Sequence, residues 1–301
     1  MVTNYLAKRN HKKQYEIKAG SKIFDVINII LLIVLAFIMI YPLWYIIILS
    51  FNEGVDAYNG GLYLIPRQFT FDNYVTAFQN RYLLTSFLIS IARTVLGTLV
   101  SVICICMLGY ALSDERLPGR KFFTKFFFFT TLFGAGAIPM LLLISDLNLL
   151  DNFLVYIVPA VYGFTNVLIM RIAFSGIPKE VKENARLDGA SEIAIFFKIC
   201  LPLVGSSIAT IALFTAVFHW SDWYAGKYYI SSELLRPAAT ILQDMITSSA
   251  GASSYLTPST TTTATTLQAA FVVIIAVPIL FVYPFAQKYF VKGAIVGSIK
   301  E

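Results

Sequence analysis

Glu183-Asn184-Ala185-Arg186-Leu187-Asp188-Gly189-Ala190, continuing through Ile193, Phe196 and Phe197 to Leu201-Pro202, decides how this 301-residue chain is read. It is a charged island between long apolar runs. A helix can open at Pro178, because a fixed φ and a missing N–H suit a first helical position. It extends to about Leu187, where Asp188 and Gly189 supply turn chemistry and a backbone free to reverse. Beyond the turn, Ile193, Phe196, Phe197 and Cys200 recur at i, i+3, i+4 and i+7, so the spacing predicts one apolar helix face. Leu201-Pro202 is expected to end that helix, since proline disfavours the α region in the residue before it. Two short helices and a glycine turn thus form a hairpin over 175–202. A solvated connector between two spans is the plainer alternative.

Around this island the chain is built for a bilayer. Hydrophobic residues make up 57% and charged residues 13%, about half the charged share of a soluble domain. Apolar runs at 26–52, 86–112, 126–145, 152–170, 199–221 and 267–286 predict six transmembrane helices in an all-α integral membrane protein. The first run is too long for the core of a cleaved signal peptide and should bend at Pro42. Gly134, Gly136 and Pro139 interrupt the third, and Pro278 and Pro284 lie in the sixth. The domain plan is a basic tail over 1–25, a helical body over 26–286 and a second tail over 287–301. Residues 53–85 read as an ordered loop, and 222–266 as a long loop whose Thr257–Thr266 tract forms the polar start of the last helix. Cys104, Cys106 and Cys200 fall in apolar runs and read as small buried hydrophobes.

Orientation follows from the cations. Of 23 Lys and Arg, 18 lie in the two tails, the 113–125 turn and the hairpin region, while the alternate loops hold Arg67, Arg81, Lys227 and Arg236. That bias places both termini and the hairpin in the cytoplasm. The basic N-terminal tail reads as the anchor of a first span rather than a nucleic-acid arm. Arg93 is the one charge inside a span, where insertion costs about 2.5–3.5 kcal/mol, so it should face protein or water unless it snorkels from an end.

No energy-transducing or catalytic constellation is visible. The chain lacks a phosphate-binding Gly-rich loop with Lys and Ser/Thr, a zinc-binding His-Glu-x-x-His, a Gly-x-Ser-x-Gly elbow and any Cys/His ligand cluster, so neither catalytic residues nor metal ligands are expected. His219 reads as an interfacial residue bonded to a neighbour, with a proton relay as the alternative. If transport is active, the ATPase is a separate polypeptide.

Glu183, Ala185, Asp188, Gly189 and Ala190, followed by Ile199, Leu201 and Pro202, resemble the "EAA" loop of the membrane-spanning subunits of binding-protein-dependent ABC importers. The chain departs from that pattern at Asn184, where the family usually has a second Ala. Tyr41-Pro42-Leu43-Trp44, Phe69 to Tyr74, Leu117-Pro118-Gly119-Arg120, Ala209 to Trp220 and Gln287 to Gly293 extend the likeness over nearly the whole chain. They resemble the carbohydrate branch, in particular the second permease of maltose-type oligosaccharide importers of Gram-positive bacteria.

The resemblance implies a bacterial cell-membrane complex of two different permeases, two cytoplasmic ATPase subunits that bind ATP and Mg, and an extracellular lipid-anchored binding protein. No cofactor is implied for this chain itself. It further implies alternating-access import of an oligosaccharide, such as a host or plant glycan fragment. Glu183, Asn184, Ala185, Asp188, Gly189, Ala190, Leu201 and Pro202 would dock in an ATPase cleft, with the tail over 288–301 reaching toward the ATPase pair. Sugar rings stack on aromatics, which makes Trp220, Trp223 and Tyr224, with Tyr228 and Tyr229 nearby, candidates for the substrate path, along with Arg93. The same aromatics suit an interfacial belt. An ion-coupled secondary transporter remains the alternative, and it would need ionisable groups at mid-membrane.

Overall fold

The computed structural model describes residues 19–61, 64–79, 81–247 and 261–298. Most of the basic tail, the Thr257–Pro258–Ser259–Thr260 part of the threonine tract and the last three residues lie outside them. Helix α1 (Ala19–Ser50) runs through Pro42 without interruption. The short α2 (Gly54–Tyr58) and α3 (Asp72–Gln79) lead to α4 (Arg81–Ser113). Next come α5 (Arg120–Leu132) and α6 (Ala137–Asp146), then two 3₁₀ turns, Phe153–Tyr156 and Val158–Ala160, and α7 (Phe164–Ser175). The hairpin consists of α8 (Lys179–Leu187), α9 (Glu192–Ala194), a π-helical turn over Ile195–Cys200 and α10 (Leu201–Leu203). The chain closes with α11 (Gly205–Ser221), α12 (Tyr224–Tyr229), α13 (Ala238–Thr247) and α14 (Ala264–Ser298).

Among the described residues, three helices are long and apolar enough to cross a bilayer by themselves: 24–50, 82–113 and 264–282. The other three expected crossings are bent pairs. Arg120–Leu132 and Ala137–Asp146 meet at 115°, Phe153–Ala160 and Phe164–Ser175 at 51°, and Glu192–Leu203 and Gly205–Ser221 at 84°. The interruption expected in the run over 126–145 is found between α5 and α6, while the uninterrupted run expected over 152–170 is corrected. Gly136, at φ 85°, breaks the first, and the 3₁₀ turns around Pro159 break the second. Apolarity set the expected lengths, but local backbone chemistry sets the breaks.

Helix α4 is the spine, packed mainly on α7 and α11. In a bilayer, where lipid is as apolar as leucine, close approach and hydrogen bonds drive helix association. The buried stripe of α4 has that composition: Ser86, Ser90, Arg93, Ser101, Ile105 and Leu112. Ser101 Oγ donates to the Ala160 carbonyl at 3.0 Å, and Ser90 Oγ accepts from the Ala238 amide at 2.9 Å. At Gly97 the His219 ring comes so near that a Cβ would lie 2.5 Å from two of its atoms. His219 is fully buried there against Gly97, and neither ring nitrogen makes a well-formed hydrogen bond.

By contrast, α1 leaves its apolar side chains exposed from Phe24 to Trp44, with Ile48, Leu49 and Ser50 buried near its end. The following loop is ordered by Asn52. Its Oδ1 accepts from the Arg67 and Gln68 amides, its Nδ2 donates to Asp56, and Asn73 Nδ2 donates to the carbonyls of Ser50 and Asn52. Helix α14 starts only at Ala264, so of the expected threonine start Thr265 and Thr266 are helical, and Thr263 and Thr266 are bonded to each other across its first turn.

A candidate coupling hairpin joined to the membrane core

Helix α8 ends in a Schellman arrangement. The Ala190 amide donates to the Ala185 carbonyl and the Gly189 amide to the Arg186 carbonyl, both at 3.0 Å, with Gly189 at φ 78°. That left-handed conformation suits glycine, which carries no Cβ to clash. Ser191 then caps the second helix by accepting from the Ala194 amide at 3.3 Å.

The second helix departs from expectation in two ways. Ile193 and Phe197 are exposed, while Ile195, Phe196 and Cys200 are buried. The π turn explains this, because its i→i+5 spacing brings Ile195 and Cys200 onto one face where a 3.6-residue period would not. Nor does Leu201-Pro202 end the helix. Leu201 keeps φ −60° and ψ −47°, and the rod runs on to Leu203, bending at Val204 (φ −105°, ψ 21°). A widened turn just before Pro202 relieves the ring's clash with the carbonyl four residues back.

The buried side of the hairpin does not form a separate unit. Ala185, Ile195, Phe196, Cys200 and Val204 belong to one cluster with Ile105, Cys106 and Leu112 of α4, Phe164, Val167, Met170 and Phe174 of α7, and Ile211 of α11. Tyr110, which nothing in the sequence singles out, links this cluster to the charged side of the hairpin. Its ring meets Phe174 at 5.4 Å and Phe196 at 5.1 Å, the Lys182 ammonium lies 5.2 Å from the ring centroid, and its hydroxyl donates to Glu192 at 3.3 Å. A lone tyrosine at the end of an apolar run gives no signal in the sequence.

Charges tie the hairpin to the turn after α4. Arg186 Nε donates to Glu192 at 2.6 Å, and its guanidinium reaches Asp114 at 3.8 Å; Lys179 pairs with Glu115 at 2.7 Å. The Arg186 bond holds the Glu192 carboxyl below its ordinary range, and the Arg116 bond does the same for Asp114. Arg120 Nε donates to the Leu112 carbonyl at 2.9 Å, covering the end of α4. Among the other expected coupling residues, Glu183, Asn184, Asp188, Gly189 and Pro202 are exposed, Ala190 and Leu201 half-buried, and Ala185 buried. The departure at Asn184 thus lies on the surface, where packing does not oppose it.

The expected substrate-path residues do not gather at one site. Arg93 is 1% exposed, pairs with Asp222 at 2.6 Å and stacks 4.4 Å from the Tyr156 ring centroid, so neither snorkelling nor an open path applies. Trp220 is buried, its Nε1 donating to the Ile275 carbonyl at 3.1 Å. Trp223, Tyr224 and Tyr228 form a partly open aromatic group, the two tyrosine rings 4.5 Å apart.

Apolar helices that carry a charged hairpin continuous with their own core are the architecture of an integral membrane protein. No protein-family model matches the chain. It is 34% identical over 283 residues to the polygalacturonan/rhamnogalacturonan transport system permease protein YtcP of Bacillus subtilis, covering 93% of this chain and 99% of that one. It is 35% identical over 289 residues to protein LplC of the same organism, covering 94% and 96%. A crystal structure of a bacterial ABC transporter involved in the import of the acidic polysaccharide alginate aligns with a TM-score of 0.82 and 30% identity over 90% of this chain and 98% of that one. The chain belongs to the permease subunits of carbohydrate ABC importers.

Proposed function

We propose that this chain is one of two different permeases in an ATP-driven importer that carries an oligosaccharide into the cytoplasm by alternating access. In this reading the chain crosses the membrane six times, three of the crossings broken, and the Lys and Arg bias supports a cytoplasmic side for both termini and the hairpin. One of two ATPase subunits grips the hairpin, and a lipid-anchored binding protein delivers substrate from outside. The observation that carries this reading is the two-sided hairpin. Its inner face shares one core with α4, α7 and α11, while Leu187 and Ile193 stand 85% and 72% exposed on its outer side. A pull on the outer side is thereby transmitted through close-packed side chains to three helices. Polygalacturonan, rhamnogalacturonan and alginate, named for the relatives above, make uronate-bearing oligosaccharides the first substrates to test, with Trp223, Tyr224 and Tyr228 as stacking surface.

An ion-coupled mechanism lacks support of this kind, because Arg93 is already tied to Asp222. Proteoliposomes holding the whole complex, with ATP inside, binding protein outside and all ion gradients collapsed, separate the two. Uptake under those conditions is expected; uptake that needs a gradient and ignores ATP overturns the proposal.

A further inference from the structure

Away from the hairpin's docking side, a pocket of about 600 Å³ at the start of α5 is lined by Arg120, Lys121, Lys125 and Arg171, with Glu115 its one acid. Glu115 is already engaged by Lys179 at 2.7 Å. Among the described residues, none of the four cations forms an ion pair. Four like charges around one opening repel one another until an anion enters.

The pocket's surroundings say what kind of anion fits. Arg171 also borders an open groove of about 550 Å³ along α7, lined by Leu168, Ile172, Ser175 and Gly176, and Ile172 is exposed. On α5, beside Lys125, the rings of Phe122, Phe126 and Phe129 are exposed. A soluble anion would neutralise the cations and leave these apolar faces bare. A molecule with an anionic head and hydrocarbon tails covers both.

We propose that this pocket holds the phosphate-bearing headgroup of an anionic phospholipid of the cytoplasmic leaflet, with an acyl chain along the Leu168–Ile172 groove. Arg171 offers a forked donor to the phosphate oxygens, Arg120 adds its two terminal amino groups while its Nε stays on the Leu112 carbonyl, and Lys121 and Lys125 supply mobile point charges at the rim. The leaflet assignment rests on the orientation proposed above; the site itself rests on the pocket.

The test is native mass spectrometry of the whole complex released from nanodiscs of phosphatidylcholine with phosphatidylglycerol. The unaltered protein is expected to retain phosphatidylglycerol, with retention falling about five-fold per cation removed in Lys125→Gln and Arg171→Gln. Arg171→Lys, which keeps the charge, should retain most of it. Lys125 is exposed, so its replacement leaves packing intact. Equal retention in Lys125→Gln, Arg171→Gln and the unaltered protein overturns the proposal. So does loss of the ATPase subunits from those variants with lipid retention unchanged, which would make this a protein-docking face. Equal thermal stabilisation by inorganic phosphate in pure phosphatidylcholine would make it a free-anion site and also overturns it. Labelling a Ser191→Cys variant from outside the cell tests orientation separately, because lipid retention does not depend on that outcome.

Discussion

Arg93 and Asp222, 129 residues apart in sequence, are joined twice: Nη2 meets Asp222 Oδ2 at 2.6 Å, and Nη1 donates to the Asp222 carbonyl at 2.8 Å. The pair pins the end of α11 to the middle of α4, under the ring of Tyr156. A buried pair is a weak gain against an apolar replacement, but breaking one side of it is costly.

Asp222→Ala is therefore expected to destabilise the protein by about 3–5 kcal/mol, because it leaves a buried guanidinium without its carboxylate. The double variant Arg93→Met, Asp222→Asn should recover a large part of that loss. Thermal unfolding of the purified complex reads both; equal destabilisation of single and double variants would assign the effect to something other than the pair.

Gly97→Ala should also destabilise, for a steric reason. The new Cβ would lie 2.5 Å from the His219 ring, so the ring or the helix must shift. Overpacking of this kind costs typically about 1–3 kcal/mol. Adding His219→Ala should relieve it, and an unfolding measurement on the double variant checks the relief.

Gly189 presents the opposite case, with open space around it and a left-handed backbone. Gly189→Val should cost about 1–2 kcal/mol locally and lower uptake, with the protein still in the membrane. Gly189→Asn, which tolerates that conformation, should retain most uptake. If both variants transport normally, the turn has no part in coupling.

The clamp between hairpin and turn should respond to acid. Glu192 is held below its ordinary value of 4.5, and Asp114 below 3.8. A depressed carboxylate stabilises fully above its ordinary value, and that contribution is lost as pH falls through the lowered one. Spin labels at Phe122 and Asn184, both exposed and outside the clamp, should thus report a fixed distance at neutral pH and a broadened one in strong acid. In Arg186→Gln the broadening should appear at neutral pH. Half-exposed pairs are worth less than about 1 kcal/mol, so the protein stays folded while the clamp loosens.

How much of this was legible in the sequence varies by element. The first hairpin helix ends and turns where Leu187 and Gly189 put it and opens at Lys179, one residue after Pro178, which is its extended N-cap, because local chemistry alone sets these points. The face of the second helix was misassigned, since a period of 3.6 assumes an α-helix and Ile195–Cys200 is π. Arg93 was expected to avoid lipid on cost grounds, yet its partner could not be read, because the contact bridges 129 residues of sequence. Trp220 shows the same limit: its type suits a sugar, but the Ile275 carbonyl already holds it.

The central claim is that the exposed side of the hairpin is where a separate ATPase takes hold. Leu187→Cys, on a side chain 85% exposed, places a thiol on that side for a cross-link in the assembled, working transporter. The account predicts a cross-link to the ATPase subunit that stops ATP-driven uptake and is reversed by reduction. A working transporter in which that thiol meets no ATPase, or can be blocked from outside the cell, contradicts it.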